Sequence, residues 1–161
     1  MKLTTTITTL LLAAATTTLA LPTAQPNAYA RALKPFQITG LTAKILSDID
    51  YASLTLNLVD QNANNTATSC TWWWHTDKEV LTTNVWKCEN TNYGLQFPDG
   101  MKSNIDDFTL RVETTSSATV QEAGEVKLDA SASGSNWVCQ QNPTENVKEQ
   151  CTYNGELDIP V

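Results

Sequence analysis

The sequence predicts an all-β protein, a compact antiparallel β-barrel or sandwich with two intrachain disulfides. Three observations support this prediction: apolar residues recur with a period of two from residue 36 onward, turn residues separate the short runs, and the chain has four cysteines. Half-buried antiparallel strands alternate in this way because successive side chains point to opposite faces of a sheet. Strands are predicted at 36–46, 51–60, 66–74, 80–88, 92–97, 105–113, 118–128, 135–140 and 150–159.

The first 20 residues have the features of a secretory signal peptide. Lys2 supplies a positive charge, residues 7–19 form an apolar stretch, and small residues end at Ala20. The apolar stretch is too short and too rich in threonine to span a membrane. We expect cleavage after Ala20, with a second cleavage after Ala30 as an alternative. The predicted organisation is a signal peptide at 1–20, a disordered leader at 21–35 and a β domain at 36–161.

An asparagine-rich loop connects the second and third predicted strands. Leu54, Leu56 and Leu58 alternate with polar residues in the second strand, and the loop at 61–65 separates it from the third. This loop contains the sequon Asn64-Asn65-Thr66. Because such sequons in exported proteins accept N-linked glycans, Asn64 is the predicted glycosylation site.

The later strands are shorter and are bounded by turn residues. Clear alternation occurs at 93–97, 108–112 and 157–161. Pro98-Asp99-Gly100 predicts a turn, and Asn154-Gly155 has the residues of a two-residue hairpin turn. The segment 120–129 is compatible with a helical turn as well as with a bulged strand.

Charge restricts the partners of the protein. The chain has 17 acidic and 10 basic residues, which gives a formal net charge of −7. An acidic protein lacks the phosphate contacts and counterion release that drive binding to nucleic acid or to an anionic membrane. We therefore expect neither partner.

The cysteines are predicted to form disulfides, because the signal peptide directs the chain to an oxidising compartment. Four cysteines allow three pairings. Cys70 and Cys88 flank the polar run 75–79, and Cys139 and Cys151 flank the polar run 142–146. Each pair spans a predicted turn, so we expect the bridges Cys70–Cys88 and Cys139–Cys151. A zinc site is disfavoured, because the sequence has no Cys-x-x-Cys pair.

No residue set indicates catalysis. Asp48 and Asp50, and Asp106 and Asp107, are the tightest acidic pairs. Asp106 and Asp107 would point to opposite faces of a strand, whereas a glycosidase needs two carboxylates that face one cleft. The sequence also lacks a Gly-x-Ser-x-Gly motif and a glycine-rich phosphate loop. We expect no catalytic residue, no metal and no cofactor.

Three consecutive tryptophans stand out in the third strand. In an extended chain Trp72 and Trp74 share a face with Cys70, and Trp73 points to the other face. If Cys70 points inward, Trp73 is the exposed ring. An exposed tryptophan on a sheet is a platform for a sugar ring, a flavonoid-like aromatic molecule or a partner protein.

Trp73, His75 and Trp86 are accordingly the predicted binding residues. Trp86 is included because it lies on the next predicted strand. The alternative is that all these rings pack into the core around a disulfide. For His75, the single histidine, a position in a turn is favoured over a role as ligand or base.

Several motifs together resemble the Alternaria major allergen family of secreted fungal proteins, over residues 36–161. These motifs are Asn84-Val85-Trp86-Lys87-Cys88, Tyr93-Gly94-Leu95-Gln96-Phe97, Phe108-Thr109-Leu110-Arg111-Val112, Trp137-Val138-Cys139 and Cys151-Thr152-Tyr153. The resemblance implies a compact β-barrel with the same two intrachain bridges. It also implies a non-enzymatic effector or elicitor that binds host proteins, including thaumatin-like pathogenesis-related proteins.

One departure from that family concerns its assembly. The family's additional N-terminal cysteine links two subunits, whereas the predicted mature chain has no cysteine before Cys70. We therefore expect a secreted monomer. The alternative function is a carbohydrate-binding or cell-wall module that uses an exposed tryptophan.

Overall fold

The computed structural model describes residues 32–115, 118 and 120–161. The predictions for residues 1–20 and 21–31 lie outside this part of the chain. The described residues form strands and no helix, so no helix among them could span a membrane. The strands are β1 (Phe36–Leu46), β2 (Tyr51–Asp60), β3 (Thr66–His75), β4 (Trp86–Lys87), β5 (Tyr93–Gln96), β6 (Asp107–Thr114), β7 (Ala123–Asp129), β8 (Trp137–Thr144), β9 (Val147–Tyr153) and β10 (Leu157–Ile159).

The strands form two antiparallel sheets. The first sheet has the order β3-β2-β1-β9-β8, and β10 also pairs with β1. The second sheet has the order β4-β5-β6-β7. Large residues from both sheets, including Phe36, Leu54, Phe97, Phe108 and Trp137, are fully buried in one core. The predicted all-β antiparallel fold is confirmed, and the two sheets do not close into a continuous barrel.

The β2–β3 hairpin forms one side of the first sheet and is closed by the asparagine-rich loop. Its ten residue pairs are symmetrical about the asparagine-rich loop. Asn64 and Asn65 have φ angles of 58° and 57°, in the left-handed region that asparagine tolerates. The carboxylate of Asp60 accepts hydrogen bonds from the N–H groups of Asn62 and Ala63 and so closes the turn.

Both predicted disulfides are present. Cys70 of β3 is bonded to Cys88, which directly follows β4, so this bridge joins the first sheet to the second. Cys139 and Cys151 are bonded and are register partners on β8 and β9. The second bridge therefore lies within one hairpin.

Two predicted strands, one predicted turn and one alternative need correction. The strand predicted at 80–88 is limited to β4 and an isolated bridge between Val80 and Met101, because residues 81–85 are an exposed turn segment that crosses between the sheets. The strand predicted at 150–159 is two strands, β9 and β10. Asn154-Gly155 is not a hairpin turn, because β9 and β10 both pair with β1. The helical alternative at 120–129 is wrong, since β7 begins at Ala123.

Candidate functional site

The outer faces of the two sheets differ in charge. On the second sheet Arg111 binds Glu113 and Glu125, with N–O distances of 2.9 Å each, and Lys127 binds Asp107. The side of the first sheet that points away from the core is here called the outer face. No outward position of β3, β2, β1, β9 or β8 carries a carboxylate. The acidic groups at this sheet lie beside β10, where Asp158 is the register partner of Gln37 and Glu156 accepts a hydrogen bond from the Gln37 side chain at 2.7 Å.

Two rows of side chains cross the outer face from strand to strand. Hydroxyl, amide and apolar groups dominate both rows, and strand spacing places successive members about 4.8 Å apart. The rows are Trp73, Ser53, Lys44, Gln150 and Gln140, and Thr71, Thr55, Thr42, Thr152 and Val138.

Trp73 is the large apolar group of this face. Its side chain is 54% exposed, whereas its neighbour Trp74 is 4% exposed on the inner side of β3. The Trp74 ring stacks on Trp72 with centroids 4.6 Å apart, and its Nε1–H donates to the Lys102 carbonyl at 2.6 Å. The strand alternation therefore orients the three tryptophans as predicted. Ser53, the register partner of Trp73, is buried although it points outward, as expected of a small side chain between Trp73 and Lys44.

Two further rings lie beside Trp73. His75 and its register partner Tyr51 have ring centroids 4.0 Å apart. Trp73, His75 and Tyr51, here called the aromatic patch, lie at one end of the β2–β3 hairpin. His75 is the last residue of β3 and not a turn residue, because its pairing with Tyr51 extends the strand. Its Nδ1 lies 3.9 Å from a carboxylate oxygen of Asp77.

Sequence reasoning missed Tyr51. The signal was available, because a hairpin symmetrical about the loop at 61–65 makes Tyr51 the partner of His75. Using this signal requires the register of the β2–β3 hairpin to be worked out first, because a shift of one residue changes every partner.

Trp86 does not join the aromatic patch. Its ring lies 4.3 Å from Trp72 and 5.5 Å from Phe97, on the inner side of the sheets. It is half-buried and packs against the core. The structure thus brings Trp73 and His75 together and leaves Trp86 elsewhere.

The strand arrangement is similar to that of the Alternaria alternata allergen Alt a 1. One crystal structure of that allergen has a TM-score of 0.47 and 16% identity, covering 78% of this chain and 85% of that chain. Another, of the Alternaria alternata major allergen Alt a 1, has a TM-score of 0.46 and 15% identity, covering 78% of this chain and 89% of that chain. No protein-family model and no curated protein matches the chain. Similarity at this level concerns the arrangement of strands and carries no argument about function.

Asn64, the predicted glycosylation site, lies far from the aromatic patch. It is exposed at the tip of the β2–β3 hairpin, and Trp73 is seven residues beyond Thr66 on β3. At about 3.3 Å per residue, that separation is about 23 Å. Most of the length of β3 therefore separates the predicted attachment point from the aromatic patch.

A buried polar cluster lies near the same hairpin tip. The hydroxyl of Tyr93 donates to Asp60 at 3.0 Å, and burial, with the Asp60 hydrogen bond, raises the pKa of Tyr93 to about 12. Asn62 donates to one oxygen of Glu122 at 2.9 Å, while the other oxygen is buried with no hydrogen-bond partner among the described residues. Burial, reinforced by the charge of Asp60, raises the pKa of Glu122.

One group of three possible metal-ligating side chains occurs in the described part of the chain. Ligand atoms of Cys139, Glu149 and Cys151 lie within 4.8 Å of one another. Both sulfurs belong to a disulfide and are not thiolates, which are the form that binds metal. Burial and then the charge of Asp106 raise the pKa of Glu149.

Proposed function

We propose that this protein is a secreted, non-enzymatic effector or elicitor that acts by surface recognition of a host defence protein. The partner class is a thaumatin-like pathogenesis-related protein, as the motif resemblance implies. The observation that carries the proposal is the exposed Trp73 ring on a sheet face where β3, β2, β1, β9 and β8 carry no carboxylate. The aromatic patch is the proposed centre of contact.

Interface energetics support this choice of surface. Tryptophan and tyrosine are enriched among the few residues that carry most binding energy, and charged side chains are depleted at interface centres. Trp73 and Tyr51 meet the first condition, and the outward positions of β2 and β3 around them, which carry no Lys, Arg, Asp or Glu, meet the second. The ion-paired face of the second sheet meets neither.

Two features support an extracellular location and a non-enzymatic role. Both disulfides are typical of proteins from an oxidising compartment. The buried carboxylates Asp60 and Glu122 are engaged by Tyr93, Asn62 and backbone N–H groups, which suits a structural role at the hairpin tip.

Binding of the purified mature protein to an immobilised thaumatin-like protein tests the proposal. Trp73→Ala should weaken binding by about 2 kcal/mol or more, the loss expected of a central aromatic contact. Leu81→Ala is the matched control, because Leu81 is 61% exposed but lies in the segment between the sheets.

Equal binding by both variants, or no binding by the parent protein, would contradict the proposal. Infiltration of the parent protein into leaves supplies a second test. A defence response that Trp73→Ala reduces and Leu81→Ala does not would support the same face.

A carbohydrate-binding or cell-wall module is the second candidate, favoured by the hydroxyl and amide rows beside Trp73. Tryptophan stacks on sugar rings, and uncharged hydroxyl and amide groups can hydrogen-bond sugar hydroxyls. Pull-down on chitin, glucan and cellulose separates the two candidates. Retention on one polymer that Trp73→Ala abolishes, without binding to the thaumatin-like protein, would select the carbohydrate module.

A further inference from the structure

Asn154 and Gly155 lie in the segment that connects β9 to β10. Both residues are exposed, and the sequence contains no other Asn-Gly pair. Because β9 and β10 both pair with β1, this segment joins two strands that follow one another along β1 and does not reverse the chain. The pair therefore has no hairpin turn to maintain.

An asparagine that precedes glycine can lose its side-chain amide without an enzyme. The backbone nitrogen of the glycine attacks the asparagine Cγ, a five-membered succinimide forms, and the amide leaves as ammonia with the proton of the backbone N–H. Water then opens the ring to aspartate or, at the other carbonyl, to isoaspartate. Glycine favours the attack because it has no Cβ beside the attacking nitrogen and restricts the backbone least.

The fold leaves both reacting groups of this pair unrestrained. In the described part of the chain, neither the Gly155 N–H nor the Asn154 side chain makes a hydrogen bond. Gly155 has a φ of 97°, and a Cβ at this residue would have no atom within 4 Å. The nearest restraint is one peptide group earlier, where the Asn154 N–H donates to the Asn136 carbonyl at 2.9 Å.

The pair Asp99-Gly100 has related chemistry but is restrained by the fold. An aspartate that precedes glycine forms the same succinimide by losing water. Gly100 is buried, and its N–H donates to the Phe97 carbonyl at 2.9 Å. The Asp99 carboxylate accepts a hydrogen bond from Thr109 and lies 3.9 Å from the Lys127 Nζ. Both reacting groups would have to leave these contacts before they could react.

The position of Asn154 determines what deamidation would change. Asn154 continues the outward positions of β9 and lines a depression of about 290 Å³ on the outer face. The other lining residues are Val138, Gln140, Gln150 and Thr152, none of which is charged. Aspartate or isoaspartate at position 154 would add a carboxylate to this depression.

We infer that Asn154-Gly155 is a site of spontaneous deamidation in the folded protein. The reaction requires water as its only co-reactant, and it adds one negative charge to the outer face. It produces amide, aspartate and isoaspartate forms of the same chain that differ at this depression. The fold itself makes the distinction between this pair, which it leaves reactive, and Asp99-Gly100, which it protects.

Peptide mapping of the disulfide-intact mature protein, kept at physiological temperature and mildly alkaline pH, tests this inference. The fragment that contains Asn154 should become about 1 Da heavier, and electron-transfer fragmentation should find both aspartate and isoaspartate there. The free peptide Thr-Tyr-Asn-Gly-Glu-Leu gives the rate of the unrestrained sequence. The folded protein should react within about tenfold of that rate, and a slower reaction, which means an extra barrier above about 1.4 kcal/mol, would overturn the inference.

Isoaspartate formation at Asp99 supplies an internal comparison. Each site is measured in the folded protein and again after reduction and unfolding in denaturant. The folded rate divided by the unfolded rate should be at least about tenfold lower at Asp99 than at Asn154, because only Asp99-Gly100 must open locally before it reacts. Equal ratios at the two sites would contradict the assignment of this difference to the fold.

Two variants locate the reaction. Asn154→Gln is the matched control, because its longer side chain would have to close a six-membered ring, and it should keep its mass over the same period. Asn154→Asp carries the charge of the product and should elute from an anion-exchange column with the aged parent protein. A gain in mass that Asn154→Gln does not prevent would assign the deamidation to another asparagine and overturn the inference.

Discussion

Trp73 is exposed and the adjacent Trp74 is buried, so the same substitution should affect stability to very different extents. Trp74→Ala removes a buried ring and leaves the Lys102 carbonyl without its donor, and we expect a loss of about 3–5 kcal/mol in the free energy of unfolding. Trp73→Ala should change it by about 0.5 kcal/mol or less. Denaturant unfolding followed by circular dichroism measures both, and a similar loss for the two would contradict the orientation of β3.

Glu122 should make stability depend on pH. Its raised pKa means that the folded protein holds the proton more tightly than the unfolded chain does. This contribution to stability is present below the unfolded pKa and is lost as pH rises through the folded pKa. Glu122→Gln carries no such proton and should therefore become progressively more stable relative to the parent as pH rises above the ordinary glutamate pKa of about 4.3.

Thermal or denaturant unfolding across that pH range measures this difference. Glu89→Gln is the matched control, because Glu89 is exposed on the segment after Cys88. A constant difference between Glu122→Gln and the parent at all pH values would show that the buried carboxylate is not the titrating group.

The orientation of single residues was predictable where one strand alone decides it. Alternation within β3, together with an inward-pointing Cys70, is sufficient to place Trp73 outside and Trp74 inside. Trp86 could not be placed in this way, because its surroundings depend on how the second sheet packs against Trp72 and Phe97. Tyr51 required the register between two strands.

At the scale of elements, Gly124 shows how closely β7 approaches the C-terminal segment. A Cβ there would meet the Pro160 carbonyl at 2.2 Å and Ile159 Cγ2 at 2.7 Å. Gly124→Ala should therefore push the two segments apart, at a cost of about 1–3 kcal/mol. At Gly94 a Cβ would meet Val85 Cγ1 at 2.4 Å, the end of a side chain on an exposed segment that can move.

Gly94→Ala is accordingly the control and should cost less than Gly124→Ala. Unfolding free energies of the two variants give the comparison, and hydrogen exchange should show faster exchange at Ile159 in Gly124→Ala alone. A larger loss for Gly94→Ala would contradict the contact between β7 and the C-terminal segment.

Long strands were easier to predict than short ones. β1 and β2 match their predicted bounds. They are eleven and ten residues long, so each contains enough apolar residues at buried positions for its extent to be predicted. β4 has two residues, too few to show an alternating pattern, although it pairs with the nearby strand β5 through Trp86–Leu95 and Lys87–Gly94. The division between β9 and β10 was hidden because both strands use the same partner, so the apolar alternation continues on either side of Gly155.

At the scale of the whole molecule, the two disulfides have different positions in the fold. Cys139–Cys151 connects strands that the β8–β9 ladder already pairs. Cys70–Cys88 connects the first sheet to the second beside one short backbone contact, from the Glu89 N–H to the Ser69 carbonyl at 2.9 Å. The Asn90 N–H also donates to the Thr68 hydroxyl at 2.9 Å. Core packing, these two hydrogen bonds and the disulfide together hold this part of the two sheets in place.

Loop length alone would make the two bridges nearly equal. Their sequence separations are 18 and 12 residues, and the chain-entropy estimate then gives about 3 kcal/mol each, with a difference of about 0.4 kcal/mol. The double variant Cys70→Ser/Cys88→Ser should nevertheless lose clearly more stability than Cys139→Ser/Cys151→Ser. It removes the covalent link between the two sheets, so β3 and the segment after β4 can separate. Denaturant unfolding ranks the two, and hydrogen exchange at Glu89 locates the opening. Equal losses, or an unchanged exchange rate at Glu89, would mean that core packing alone holds the sheets together.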